Sequence, residues 1–353
     1  MTIRIYNDRI KFVADSDNDT DIDLLIESDG LRFTGTLTTA YNVAYTTPVQ
    51  SLPAQGTVAA FTSGGFSPPR VNTIDKFPFS ISAGTATNVG SLSITRNSHA
   101  GHSSNIDGFV SGGSPDVLAI AIDKFPFSIS SGTATDVGDL SIWHSEASQH
   151  SSYTDGFIGG GYGNPFPTYL SSIDKFPFSI SGGTGTDVGD LSGVKRQPSS
   201  QSSNTDAFAS GGYTGSVYLS TIDKFPFSIS GGTATDVGDL SGSQYQLSGV
   251  SSTDNGFSAG GNKSGSIVST IDKFPFNISS GTATIVGDLT TATTQLSGEA
   301  STTDGFMSGG NVPSQTPTYT ATIDKFPFNI SSGTATDVGD LTETKSALAG
   351  HQD

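Results

Sequence analysis

Three sets of residues in this sequence have types and spacings that could do chemistry. Ser, His and Asp fall close together around His99, His102, His144 and His150. These are the types of a nucleophile, its general base and the acid that orients the base. His99 and His102 could also begin a metal site, but no third ligand is specified. The second set is Glu146, Glu299 and Glu343, of the type that serves as the carboxylate pair of glycoside hydrolysis. All three sit in one repeated strand or its approach rather than converging. In so Ser-rich a chain, Ser beside His and Asp is expected by chance. The reading is therefore a non-enzymatic protein without a cofactor.

The third set suits recognition. Trp143, Tyr162, Phe166, Tyr169, Tyr213, Tyr218, Tyr245 and Tyr319 lie in stretches of varying length, with Arg96, Lys195 and Arg196 as the non-repeated positive charges beside them. Aromatic rings give large contact area at low entropy cost, and guanidinium offers fork-shaped donors to carboxylates or acidic sugars.

Composition narrows the classes further. The 353 residues include 44 Gly and no Cys, and Asp and Glu outnumber Lys and Arg by 33 to 16, a formal charge of −17. That sign argues against a nucleic-acid backbone or anionic membrane as partner. The absence of Cys excludes a disulfide scaffold, zinc–thiolate sites and a cysteine nucleophile. Residues 1–20 have no apolar core of a secretory signal, and no later stretch is apolar enough to span a bilayer.

The elements that position these residues come from a repeat. Ile-Asp-Lys-Phe-Pro-Phe occurs six times without change, starting at Ile74, Ile122, Ile173, Ile222, Ile271 and Ile323, with spacings of 48, 51, 49, 49 and 52 residues. A block ending Asp-Val-Gly-Asp-Leu in its commonest form follows each copy, as in residues 132–140. A variant of Asp-Gly-Phe-x-x-Gly-Gly precedes each, as in residues 107–113. Each unit reads as four short strands: a over residues such as 93–99, b over Gly-Phe-x-x-Gly-Gly, c over Ile-Asp-Lys-Phe, and d over the last block. Pro cannot donate to a ladder, so it should end strand c. Four-stranded units of this length are propeller blades.

The ends of the chain bear on closure. Residues 341–351 align without gaps on residues 92–102, which supply strand a of the second unit, whereas the first unit begins with strand b at residues 60–65 and has none. Joining the two removes an exposed edge. The expected fold is all-β: a six-bladed propeller over 57–353, closed by the C-terminal strand joining the first blade. Residues 1–47 form a small β segment for attachment or oligomerisation, and 48–56 a linker. The three Phe per repeat should be core. The Gly-Gly pairs should supply positive φ. The Asp residues of Asp-Val-Gly-Asp-Leu and the hexapeptide Asp should cap turns or pair with the repeated Lys. Carboxylates suit a hard cation such as Ca²⁺, but neither these nor the acidic stretch 15–21 forms a recognisable ligand loop.

The units resemble the kelch-type propeller family, with Gly112-Gly113, Phe125 and Leu140 in the family's places, from about Ala59 onward. The family's fourth-strand Trp is replaced by residues 133–135, so packing between blades must differ. Kelch-like radical copper oxidases need a Cys that is absent here, and sialidase-type propellers an Arg cluster that six scattered Arg do not suggest. The repeated wording is also similar to repetitive structural proteins of tailed, particularly marine, bacteriophages, of tail-fibre type. That resemblance implies a virion protein assembled in host cytoplasm, attached to other virion proteins through its N-terminal segment. A homo-oligomer, a trimer by analogy with fibres, is implied too.

Variation between copies is confined to the b–c connections and the d–a stretches, which share one face of an antiparallel meander. That face is where a host-surface glycan or protein, or a neighbouring virion protein, would bind. Loop drift over a fixed core is the competing explanation. A capsid decoration or architectural tail component without a receptor, and an intracellular kelch-type interaction module, stay open as alternatives.

Overall fold

The computed structural model describes residues 55–114, 120–316 and 318–353 in full, and residues 2–6, 9–13, 22–27 and 30–34 as strands. The acidic stretch 15–21, the turns at 7–8 and 28–29, most of the expected linker and the loop at 115–119 lie outside the described residues. Two compact units divide the chain, Met1–Gln50 and Ser51–Asp353.

In the first unit, Thr2–Tyr6, Arg9–Val13, Ile22–Glu27 and Gly30–Thr34 pair in chain order as an antiparallel sheet. The second unit is all-β and propeller-like. Its described residues form six four-stranded antiparallel sheets and no helix, and so none long and apolar enough to cross a membrane. One sheet runs Ala100–Ser103, Asp107–Ser111, Ala121–Pro126, Thr135–Asp139. Every third strand ends at the hexapeptide Pro, which has no N–H to continue the ladder. Both glycines of each Gly-Gly pair have positive φ, as at Gly112 (68°) and Gly113 (97°). A Cβ on Gly112 would stand 2.3 Å from the His144 carbonyl oxygen.

Two expectations are corrected. The first strand of the sheet above is Ala100–Ser103, not 93–99. Residues 93–99 instead form a loop, because Ser98 turns into the left-handed region at φ 56°. Nor does the hexapeptide Asp pair with the repeated Lys. Lys124, Lys175, Lys224 and Lys325 reach Asp107, Asp155, Asp206 and Asp304 of the preceding strand at 2.8–3.3 Å. The hexapeptide Asp turns inward instead, with five of the six copies 0% exposed.

Those buried carboxylates link each sheet to the next. Ser93 donates its N–H (2.9 Å) and hydroxyl (2.7 Å) to Asp123, and Ser192 does the same for Asp223. Ser141 serves Asp174, Ser241 serves Asp272 and Thr290 serves Asp324. Thr342, near the C-terminus, donates to Asp75 of the first repeat at 2.8 Å. The aromatic core follows the same succession. Phe61 packs on Phe125 and Phe127, Phe109 on Phe176 and Phe178, and so on to Phe306, which packs on Phe77 and Phe79. Each fully buried Phe contributes roughly 2–3 kcal/mol from area alone. Ala349–Gln352 pairs antiparallel with Ala59–Ser63, with His351 opposite Phe61.

At the inner ends of the d–a loops, Ser98, Glu146, Gln197, Gln246, Gln295 and Ala347 all have φ between 50° and 61°. For residues with a Cβ this costs roughly 1–2 kcal/mol each. Each offsets it with a backbone bond of 2.6–3.0 Å from its N–H to the carbonyl of the preceding member, Ser98 donating to Ala347. The six bonds form a cycle.

Buried polar side chains line the first strands. His102, His150 and His351 place Nδ1 3.1 Å from the carbonyls of His150, Gln201 and His102. A carbonyl only accepts, so each Nδ1 carries the proton. Burial lowers these imidazoles to about 3, 4 and 4. Glu299 occupies the equivalent position, takes hydroxyl bonds from Ser297 (2.6 Å) and Ser308 (2.7 Å), and is raised by burial to about 7.

These shifts act in opposite directions. The histidines stabilise fully above about pH 6.5, their unfolded value, and lose that contribution as pH falls toward 4. Glu299 stays protonated in the fold until about pH 7, so its burial costs more as pH rises from 4.5 through 7. Gln201 already fills this position in another repeat, bonded to Ser199 and Ser210 at 3.0 Å. Glu299→Gln should therefore match the parent stability near pH 4.5 and exceed it at pH 8 by on the order of 3 kcal/mol. Denaturant melts at the two pH values measure the difference, and equal stability at pH 8 would contradict it.

Candidate functional site

The b–c and d–a connections meet in pairs. Asn97 bridges Ser114, Ser145 bridges Tyr162, Arg196 bridges Tyr213, Tyr245 pairs with Asn262, and Thr294 bridges Asn311. Each bridge brings the variable segments of one sheet together, and three successive ones gather most of the candidate residues.

The first loop is a short hairpin, Tyr162–Gly163 against Thr168–Tyr169. Its tip carries Phe166, which is 61% exposed. The Tyr162 ring lies 4.8 Å from Phe166 and 5.1 Å from Tyr169. In the next loop Tyr213 and Tyr218 stand 5.2 Å apart, and Tyr245 lies within 5.4 Å of both. The two groups touch at Gly215, where a Cβ would come 2.8 Å from the Tyr169 ring.

Arg196 joins them. Its guanidinium carbon is 5.1 Å from the ring centres of Tyr162 and Tyr213 and 5.6 Å from that of Tyr245. One planar cation thus faces three aromatic rings. Nη1 donates to Glu146 Oε2 at 2.6 Å and to Gln197 Oε1 at 3.0 Å. Burial raises the Glu146 carboxyl, and Arg196 pulls it part of the way back. Burial lowers Arg196, but Glu146, together with Tyr162 and Tyr169, holds it above its usual value. Burial, then the Tyr169 hydroxyl, pushes Tyr162 up to about 12, and Tyr245 is raised by burial and Tyr218. These phenols stay protonated at neutral pH and can donate hydrogen bonds.

Three expected contact residues are corrected. Arg96 and Lys195 are fully buried and ion-paired, with Asp123 at 3.3 Å and Asp223 at 3.0 Å. Their position, three residues after the Ser that bonds the Asp, faces the gap between sheets. Trp143 is only 7% exposed, and its Nε1 donates to the Gly113 carbonyl at 2.6 Å. It supports Phe166 from beneath, 6.5 Å away between ring centres. Tyr319 lies apart from the cluster and packs edge-on against Phe66 at 5.8 Å.

Glu146, expected only at the approach to a strand, and Gln197, outside every expected site, also belong here. Both flank a cavity of about 100 Å³ lined also by Gln246 and Gln295. Their shared spacing after each Asp-Leu was the available signal.

The residues first considered for catalysis are separately engaged. His99 Nε2 is 3.0 Å from the Ser63 carbonyl, His102 uses both nitrogens, and Glu343 accepts from Thr73 at 3.1 Å. No group of three His, Asp or Glu suited to a metal occurs among the described residues. Comparison with known protein-family models gives no match, and comparison with curated proteins gives none either.

Arg196→Ala leaves Glu146 partly buried without its cation and frees three rings. It should cost on the order of 2 kcal/mol and weaken the tyrosine near-UV circular dichroism. Arg196→Lys should recover less than half of both, because an ammonium cannot lie flat against the rings. An unchanged tyrosine spectrum in Arg196→Ala would show that the guanidinium does not organise them.

Proposed function

We propose that this chain is a non-enzymatic virion structural protein of a tailed phage, a tail fibre or appendage, whose variable loop face binds a surface glycan or protein of the host. On this reading residues 57–353 form a six-bladed kelch-like propeller. The strand Ala349–Gln352 closes it by completing the sheet that begins at Ala59–Ser63. The N-terminal sheet attaches the protein to other virion proteins as a homo-oligomer, a trimer by analogy with fibres.

One observation carries the binding assignment. Loops from three successive sheets converge on a single aromatic cluster around Arg196, with Phe166 projecting 61% exposed from it. Loop drift alone gives no reason for rings from separate repeats to stack on a shared guanidinium. Ring faces, phenol donors and a partly buried cation are the groups that grip the faces and hydroxyls of a sugar. The virion assignment rests on the likeness of the repeated wording to phage structural proteins.

The test replaces the exposed Phe166 and the half-buried Tyr169 and Tyr218 and spares the buried Trp143. Phe166→Ala/Tyr169→Ala/Tyr218→Ala in the full chain should lower binding to intact host cells by at least about tenfold. The melting temperature should stay within about 3 °C. Unaltered cell binding would overturn the receptor assignment in favour of an architectural one. Absence of the chain from purified particles by mass spectrometry would overturn the virion assignment.

A further inference from the structure

The six repeats treat their buried Asp alike except in one place. The residue three positions after each bonding Ser or Thr differs between copies (Arg96, His144, Lys195, Gln244, Thr293 and Lys345), and in every copy but Thr293 its side chain is directed at that carboxylate. Lys345 Nζ lies 3.0 Å from Asp75 Oδ2 and 3.1 Å from Thr73 Oγ1. Lys195 Nζ repeats this geometry, 3.0 Å from Asp223 Oδ2 and 3.1 Å from Thr221 Oγ1. Arg96 reaches Asp123 at 3.3 Å, His144 stands 3.9 Å from Asp174, and Gln244 stands 3.4 Å from Asp272.

Thr293 is too short to do the same. Its hydroxyl turns back to the Thr291 carbonyl at 3.0 Å. Asp324 keeps the bonds from the Thr290 N–H (2.8 Å) and hydroxyl (2.7 Å), and Thr322 holds the place of Thr73 and Thr221. Where the long side chain would run there is a cavity of about 40 Å³, lined by Thr293, Thr322 and Asp324 and reaching the exposed Gln315. A single small ion or water fits that volume. Asp324 is also 6% exposed, against 0% for the other five. Burial, only partly offset by Thr290, raises its carboxyl above the usual range.

We propose that the cavity beside Asp324 binds a monovalent cation of ammonium size, ammonium or potassium. The ion takes the place between Asp and Thr that Lys195 and Lys345 fill with their own ammonium groups in two other repeats. A buried carboxylate without a counter-charge is costly, and oxygens of one carboxylate and neutral hydroxyls suit a singly charged ion of this size. The other five repeats supply a side-chain partner covalently, an Arg or Lys cation in three of them, and act as internal controls.

The test follows melting temperature of the full-length protein at about pH 7.5, with ammonium or potassium chloride exchanged for tetramethylammonium chloride at fixed ionic strength. Ammonium or potassium should raise it by about 3 °C between 5 and 200 mM, because a ligand of the folded state stabilises by mass action. A rise with ammonium alone marks hydrogen bonding by the N–H groups, and an equal rise with potassium marks recognition by size. Thr293→Lys should melt higher than the parent in tetramethylammonium and lose the dependence. Thr293→Gln, which copies Gln244, and Asp324→Asn should lose it as well. Identical melting in all three salts would overturn the site, as would an ammonium response that persists in Asp324→Asn.

Discussion

A carboxylate taken out of water must find charge or hydrogen bonds nearby, and this constraint organises the repeat unit. Six Asp from the invariant hexapeptide point into the gaps between sheets. In each case the partners come from the segment that leaves the preceding sheet: a Ser or Thr after the Leu, and in most copies a longer donor three residues on. Each Asp therefore couples two consecutive sheets, which an apolar contact of equal area would do less specifically. Removing one partner from such a pair costs about 3–5 kcal/mol, because the other charge stays buried.

With the sheets fixed in this way, the connections at one end are free to differ. The hydrophobic positions repeat almost unchanged from copy to copy, and the phenylalanines are the clearest case. The b–c loops share no such restriction, and two of them, with Tyr245 from a d–a stretch, assemble the cluster around Arg196. The same d–a stretch supplies both functions. Lys195 turns inward to Asp223, while its neighbour Arg196 turns outward between the tyrosine rings.

Much of the fold was legible because short-period patterns report it directly. The strand that ends at Pro, the positive φ at Gly-Gly, the buried Phe and the pairing of Ala349–Gln352 with Ala59–Ser63 all follow from residue type and alignment of the copies. The first strand was misplaced because nothing in the residue type of Ser98, Glu146 or Ala347 announces a left-handed backbone. That conformation is imposed by the cycle of hydrogen bonds they share. Arg96 and Lys195 looked like surface charges because they stand outside the repeated motifs. Only aligning the copies on the preceding Leu shows that this position meets the buried Asp in five of the six copies. Trp143 misled for a related reason, since a loop residue with a large ring can be the floor of a cluster rather than its face.

The central claim is that the succession of buried-Asp links returns to its own beginning, through Lys345 and Thr342 on Asp75, so that the proposed ring is linked there as it is in mid-chain. Its most direct test compares the unfolding free energies of Lys345→Met and Lys195→Met. The first substitution breaks the link between the last and first repeats, and the second an equivalent link in mid-chain. The account predicts that both lose about 3–5 kcal/mol, within error of each other. A loss of less than about 1 kcal/mol for Lys345→Met, as for an exposed ion pair, beside a large loss for Lys195→Met would contradict it.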